Sequence, residues 1–85
     1  MKVTKVVVRP VASNSKLKAT ASVTFDDEFV VHGIRVVEGE KGLFIAMPSR
    51  KMSDGTHKDI AHPLKNETRQ MIQEAVLAEY EKIKG

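Results

Sequence analysis

Hydrophobic and polar residues alternate along the first part of the chain in the way that β-strands require. From Leu17 to Phe25 every odd position is apolar and every even position is Lys, Ser or Thr, which predicts a half-buried strand. The segment from Val3 to Arg9 is rich in β-branched residues and stops at Pro10, which predicts an edge or first strand. A small polar turn at Ala12 to Ser15 is expected to join the two strands.

Two further strands follow across short turns. The acidic triplet at positions 26–28 predicts a tight hairpin turn, and Phe29 to Val37 predicts the returning strand. Glu38 to Gly42 supplies two glycines for a second hairpin. Leu43 to Met47 is apolar at both strand parities, so we expect both of its faces to be buried. Because the connections are short, the strands should pair antiparallel, and Lys58 to Ala61 would add a short fifth strand.

The end of the chain has helical periodicity. Asn66 is the expected N-cap, and the pattern continues to Lys84, with Gly85 after the last turn. Leu77 falls outside the apolar stripe and is expected to be a surface residue. The stripe itself recurs at spacings of three and four residues and consists of Ile72, Ala75, Val76, Tyr80 and Ile83.

These elements predict one α+β domain over residues 1–85, with an antiparallel four- to five-stranded β-meander and one C-terminal α-helix packed on the sheet. The sheet is expected over about residues 2–47, a basic loop over 48–65 and the helix over 66–84. One helix covers one face of a sheet, whereas the strands offer apolar residues to both faces. We therefore expect a second copy of the chain to cover the other face, which gives a homodimer.

Composition limits the function classes. The chain has 85 residues, 41% hydrophobic and 29% charged, which is typical of one small globular domain. It contains no Cys, so disulfides and thiolate chemistry are excluded. An apolar run of membrane-spanning length and a signal-peptide pattern are both absent, which favours a cytoplasmic protein with no membrane insertion.

The formal net charge of +3 is unevenly distributed. Residues 1–25 contain no acid, residues 26–41 are acidic, and residues 42–65 are basic again. The cations after the apolar strand gather near the start of the helix, where free N–H groups also favour anions. This arrangement suits nucleic-acid phosphates, and the candidate binding residues are Arg50, Lys51, Lys58, Lys65 and Arg69. The alternative is a solvated loop whose charge serves only solubility.

No catalytic constellation stands out. His32, His57 and His62 lack the spacing of metal ligands, and His32 is expected to be a hydrogen-bonded structural residue. The carboxylates at 26–28 lie at a solvated turn, and no Gly-rich phosphate loop or nucleophile elbow appears. We therefore expect no enzyme activity, no metal, no cofactor and no small-molecule substrate.

Three segments carry a resemblance to a known family. They are FDDEFVVH, GLFIAMPS and DIAHP, within a match that covers nearly the whole chain. The chain resembles the stage V sporulation protein G family of bacterial septation regulators. The resemblance implies a small α+β fold, a homodimer and a regulator tied to septation and sporulation, whose members include DNA and RNA binders. It also implies nucleic-acid contacts by the same basic residues, Arg50, Lys51, Lys58 and Arg69.

The chain departs from the family pattern in its first strand, where relatives often carry Asp and Arg in place of Lys5 and Val7, and a basic residue in place of Pro10. Met52 and Ser53 replace a more polar loop that contains proline. We thus interpret the chain as a nucleic-acid-binding regulator of septum formation and sporulation. The alternative is a protein-interaction module of the septation pathway with no direct nucleic-acid binding.

Overall fold

The computed structural model describes residues 1–12 and 15–83, and an antiparallel sheet is its largest element. The sheet has the strand order β1-β2-β3-β4, and the helix α1 (Asn66–Ile83) packs on one face. Two short strands, β5 (Ser49–Lys51) and β6 (His57–Asp59), form a separate hairpin. The predicted α+β class is confirmed. The four sheet strands are β1 (Val3–Pro10), β2 (Leu17–Phe25), β3 (Phe29–Gly39) and β4 (Gly42–Ala46).

The predicted elements that fall on residues 13–14 and 84–85 lie outside the described residues. They are the middle of the turn between β1 and β2, and the helix end at Lys84 with the glycine after it.

The acidic turn between β2 and β3 has the form that a tight hairpin requires. Asp26 and Asp27 both have positive φ, 53° and 54°, and the Glu28 amide donates to the Phe25 carbonyl at 2.9 Å. Two central residues with positive φ define a type I′ turn, whose twist matches that of the flanking strands. The side chain of Thr4 supports the turn by accepting a hydrogen bond from the Asp27 amide at 3.0 Å. The predicted hairpin is confirmed.

The core lies between α1 and the face of the sheet that α1 covers. The alternation read along β2 is confirmed, because its buried residues are Ala19, Ala21, Val23 and Phe25. The helix contributes the buried residues Ile72 and Val76. The other strands complete the core with Val8, Ile34, Val36 and Ile45, and Met47 follows β4.

A bulge in β3 changes the direction of its central residues. Between the pairs Ala21–Ile34 and Val23–Val31, β3 has one residue more than β2. Gly33 lies in this bulge with φ +80°, a left-handed conformation that glycine adopts without strain. His32 lies beside it, and its Nδ1 is 2.8 Å from the Ser22 hydroxyl, so the expected hydrogen bond is present, although His32 is exposed.

The expectation that both faces of the fourth strand are buried is wrong for the single chain. Ile45 and Met47 are buried, but Phe44, which points to the opposite face, is 43% exposed. The reason is that α1 covers one face only, and Phe44 lies on the other.

The helix differs from its predicted pattern at both edges of the stripe. Leu77, expected at the surface, is partly buried and packs against the core, whereas Ile83, expected in the stripe, is 38% exposed. The buried face is therefore wider than the stripe in its middle, and it ends before the last turn. Within residues 1–12 and 15–83, no helix is long and apolar enough to cross a membrane.

Candidate functional site

The basic segment after β4, predicted as a loop over residues 48–65, contains a β-hairpin. At its base the Ile60 amide donates to the Pro48 carbonyl at 2.7 Å, and at its tip the Met52 amide donates to the Thr56 carbonyl at 2.7 Å. Gly55, with φ +91°, lets the tip reverse direction. The short strand expected over Lys58 to Ala61 is present as β6 (His57–Asp59), but it pairs with β5 and does not extend the four-stranded sheet.

The hairpin tip is held by one carboxylate. Asp54 Oδ1 accepts hydrogen bonds from the Thr56 hydroxyl at 2.6 Å and from the Thr56 amide at 3.0 Å. The side-chain hydrogen bond from Thr56, followed by the backbone one, lowers the pKa of Asp54 below its ordinary value of 3.8. The single acid at the tip is therefore engaged within the hairpin.

Two of the predicted binding residues lie opposite each other. Arg50 and Lys58 are cross-strand partners, so their side chains share one face of the hairpin. Both are exposed, and neither forms an ion pair with a residue that the structure describes. Like charges directly opposite each other repel, and an anion that binds between them would relieve this repulsion.

Lys51 lies on the other face of the same hairpin. It is paired with His57, and strand alternation directs both away from the Arg50 face. Lys51 and His57 border a groove whose opposite wall contains His32 and Arg35 of β3. The structure therefore separates Lys51 from the two cations with which it was expected to form one cluster. We call the Arg50–Lys58 side the outer hairpin face and the Lys51–His57 side the inner hairpin face.

Lys65 and Arg69 lie at the start of α1, on a different element from the hairpin. The Arg69 amide donates to the Lys65 carbonyl at 3.1 Å, and this is the first hydrogen bond of the helix. Lys65 thus occupies the N-cap position, and Asn66 is the first helical residue. The expectation of Asn66 as N-cap is wrong by one position, because the helix begins with the Lys65 carbonyl.

Three cations of the sheet lie on one surface that was not predicted from the sequence, and they are Lys5, Arg9 and Arg35. Thr20 lies between the buried residues Ala19 and Ala21, so its side chain faces away from the helix. Its cross-strand partners are Arg9 on one side and Arg35 on the other, which places all three in one row. Lys5 pairs with Thr24 and lies on the same face. Lys5 and Arg9 both occupy odd positions of β1, so the sequence indicates that they share a face. The strand register is needed to show that Arg35 lies on that face too.

Arg35 connects this surface to the hairpin. One of its terminal nitrogens donates to the Met47 carbonyl at 2.9 Å and to the Ser49 hydroxyl at 3.1 Å. Gly33 approaches the same junction, since a Cβ at that position would lie 3.4 Å from the Pro48 Cβ. The sheet and the first strand of the hairpin are thus joined by specific contacts.

Apolar side chains are exposed near the start of the helix. Leu64 is 93% exposed, Ile60 68% and Phe29 62%. Phe29 and His62 border a pocket of about 110 Å³ between the sheet and the helix start.

No group of three or more potential metal ligands occurs among the described residues.

Comparison with known proteins gives a consistent assignment. The family model SpoVG matches residues 1–82. A protein of Clostridium kluyveri is 62% identical over 85 residues, covering 100% of this chain and 88% of its own length. A Clostridium acetobutylicum protein is also 62% identical over 85 residues, covering 100% and 90%. An Alkaliphilus metalliredigens protein is 61% identical over 80 residues, covering 94% and 82%. Each of the three is named "Putative septation protein SpoVG".

Proposed function

This chain belongs to the SpoVG family, and we propose that it is a homodimeric, nucleic-acid-binding regulator of septum formation and sporulation in the cytoplasm. The septation role rests on the names of its relatives. The nucleic-acid role rests on one observation above all: Arg50 and Lys58 are paired and exposed, and neither forms an ion pair with a residue that the structure describes. A phosphate is the biological anion that best suits such a pair.

The dimensions of the hairpin suit double-stranded DNA. Two antiparallel strands are about 5 Å apart, and a two-stranded ribbon of this kind fits the major groove, which is about 12 Å wide. The outer hairpin face would then bring Arg50 and Lys58 to the duplex. Lys65 and Arg69 would add cations from the start of α1, and Lys51 would lie behind the ribbon.

The dimer would supply a second hairpin to the same duplex. β4 is an edge strand in the order β1-β2-β3-β4, and its sequence contains neither a charged residue nor proline. Such an edge is a ready template for pairing with a second copy. Two β4 strands that pair around a twofold axis would hold the two hairpins in one assembly.

The test is a salt titration of duplex binding. Fragments that bind are first selected from genomic DNA by gel shift. If Arg50 and Lys58 each meet one phosphate in both subunits, about four phosphates are engaged, and the slope of log affinity against log salt is about −3.6. The double variant Arg50→Ala/Lys58→Ala should lose most of this slope. Lys16→Ala/Lys41→Ala removes the same charge at exposed positions away from the hairpin and is the matched control.

The rival function is a protein-interaction module of the septation pathway. The exposed apolar residues Phe29, Ile60 and Leu64 favour it, because such side chains are typical of protein contacts. Under this hypothesis the two double variants bind DNA equally weakly, and the slope is small for every form of the protein. A slope near zero for the unmodified protein would overturn the nucleic-acid proposal.

A further inference from the structure

The most exposed large apolar side chains of the described residues gather at one place. They belong to Leu64, Met1, Ile60 and Phe29 and are 62% to 93% exposed, whereas the other exposed large apolar residues lie between 37% and 43%. Met1 and Phe29 border the pocket between the sheet and the helix start. Ile60 and Leu64 adjoin residues 61–63, which border the same pocket. We call these four residues the apolar rim.

The pocket inside the apolar rim leads to the core. Its sheet wall includes Phe25 and Ile34, and its helix wall consists of Thr68 and Ile72. All of these except Thr68 are buried members of the core cluster. The core is thus open to solvent at this end, and exposed apolar residues surround the opening. An apolar patch of this kind is typical of a protein-binding surface.

The volume of the pocket limits its occupant. Sites for small-molecule ligands commonly measure about 300–1,000 Å³. A cavity of about 150 Å³ holds one benzene molecule. The pocket here, of about 110 Å³, therefore has room for one aliphatic side chain such as leucine. The fitting occupant is one side chain of a larger molecule, whose remaining surface covers the apolar rim.

The helix wall of the pocket has cations at its edge. Residues three apart are neighbours on a helix surface. Lys65, whose carbonyl begins α1, therefore lies beside Thr68. Arg69 lies beside Ile72 in the same way. Both cations are exposed, and neither forms an ion pair with a residue that the structure describes.

The sheet wall has acids at its edge. Phe25 and Phe29 both border the pocket, and the acidic turn at positions 26–28 joins them. Its three carboxylates are exposed, and none forms an ion pair with a cation of the described residues. A partner that fills the pocket thus meets cations on one side and carboxylates on the other.

An amphipathic helix has the shape and the charge distribution that this site requires. Its apolar residues at i, i+3, i+4 and i+7 share one face, so one of them can enter the pocket while the others cover the apolar rim. The C-terminal end of a helix carries partial negative charge and the N-terminal end partial positive charge. The C-terminal end, with acidic residues, would therefore lie at Lys65 and Arg69, and the N-terminal end, with basic residues, at the turn 26–28.

We propose that the apolar rim and its pocket bind an amphipathic helix of another protein, which inserts one aliphatic side chain into the pocket. This inference goes beyond the proposed function, because it requires neither DNA nor the outer hairpin face. A second copy of the chain does not offer such a helix. Among the residues that the structure describes, the one helix is α1, and Ile72 and Val76 of its apolar face are buried against its own sheet.

The experiment selects helical peptides against the full chain from a displayed library. The peptides have about 16 residues, which is about 24 Å as a helix. Aliphatic or aromatic residues are fixed at helical spacing, and the other positions are random. Enriched peptides are labelled, and their affinity for the protein and its variants is measured by fluorescence anisotropy.

Two uncharged variants test the site. Thr68→Leu fills the pocket, and Thr20→Leu is its control, the same exchange on the face of the sheet opposite α1. Leu64→Ser removes part of the apolar rim, and Ile83→Ser is its control, an exposed apolar residue at the far end of α1. Each variant is first checked for a melting temperature no lower than that of the unmodified protein.

A charge-reversed variant tests the orientation of the peptide. Lys65→Glu/Arg69→Glu reverses the charge at the helix wall. Lys16→Glu/Lys41→Glu makes the same change at exposed positions away from the pocket and is the matched control.

The expected result is a set of peptides that depend on the pocket. Thr68→Leu should weaken their binding by about tenfold or more, since loss of an anchor side chain commonly has an effect of this size. Leu64→Ser should weaken it about threefold. Lys65→Glu/Arg69→Glu should weaken it roughly fivefold at low salt and less at high salt. The selected sequences should be basic near the N-terminus and acidic near the C-terminus.

Four outcomes would overturn the proposal. The first is a library from which no peptide is enriched. The second is binding that Thr68→Leu and Leu64→Ser change no more than their controls do. The third is conversion of a dimer to a monomer by either variant in light scattering, which would show that a second copy occupies the site. The fourth is a selected set with the opposite order of charges.

Duplex binding is measured in parallel to keep the two proposals separate. Thr68→Leu and Leu64→Ser change no charge, so duplex affinity should be the same as for the unmodified protein. A specific effect of Arg50→Ala/Lys58→Ala on the duplex would leave the proposed function standing if the peptide selection failed. Conversely, peptides that depend on the pocket would leave this inference standing in a protein that did not bind DNA.

Discussion

Arg50 and Lys58 lie directly opposite each other on the two strands of the β5–β6 hairpin. This arrangement is unfavourable for the isolated protein, because like charges at paired positions destabilise a hairpin. A protein that retained these cations for solubility alone could have placed them at unpaired positions. Under the proposed function, a phosphate bound between Arg50 and Lys58 would relieve this repulsion.

Replacing Lys58 by Glu should stabilise the hairpin and weaken DNA binding in the same variant. An opposite-charge pair contributes about 0.2–1 kcal/mol relative to a pair of alanines, and the substitution also removes the repulsion between the two cations. Hydrogen exchange of the hairpin amides should slow accordingly, and the duplex affinity should fall. Lys58→Gln, which removes the repulsion without adding an attraction, should give intermediate results. Faster amide exchange in Lys58→Glu would contradict this account of the pair.

The hairpin tip should depend on pH through Asp54. Its pKa is lowered in the folded protein by the hydrogen bonds from Thr56, so the carboxylate stabilises the tip above the unfolded value of 3.8. The contribution is lost as the pH falls through the lower, folded pKa. We expect the Thr56 amide resonance to shift on acidification with a midpoint below 3.8. Asp54→Asn keeps an acceptor oxygen but cannot titrate there, and its Thr56 resonance should show no such midpoint.

The sheet was largely predictable from sequence because its strands are short and its turns are local. Clean alternation in β2 located four core residues, and the acidic triplet located a type I′ turn. The bulge at Gly33 was not predictable, since the extra residue in β3 is visible only against its partner strand. That bulge and the register decide which side chains join Arg35 on the face of the sheet opposite α1.

The candidate site was predictable only in part, for a related reason. Composition identified the basic segment that contains Arg50, Lys51 and Lys58, but the pairing of β5 with β6 decides which of them share a face. Asp59, paired with Ser49, closes the hairpin where the sequence suggested an open loop. The order of charges along the chain does not show which residues pair across two strands. That pairing places Arg50 and Lys58 on one face of the hairpin and Lys51 on the other.

The helix should stabilise the fold through its middle and not through its end. Ile72 is 4% exposed and packs between the helix and the sheet, so Ile72→Ala should cost about 2–5 kcal/mol of unfolding free energy. Ile83→Ala, the same change on the same apolar stripe, should cost at most about 0.5 kcal/mol because Ile83 lies near solvent. Urea denaturation measures both. Equal costs would show that the last turn packs as firmly as the middle of the helix.

Dimerisation should depend on the β4 edge. Phe44 lies at its centre, and Lys at this position would oppose pairing, because charged residues on an edge strand disfavour a further strand and two such lysines on neighbouring β4 strands would repel each other. We expect Phe44→Lys to reduce the molar mass measured by light scattering at micromolar concentration from that of a dimer to that of a monomer. The substitution adds a cation, so weaker DNA binding by this variant would reflect the loss of the second hairpin and not a loss of charge.

Phe44→Leu is the control, because it keeps the edge apolar and should remain dimeric. A monomeric mass for the unmodified protein, or a dimeric Phe44→Lys protein, would show that β4 is not the interface, and the exposed apolar residues near Leu64 would then be the next surface to test.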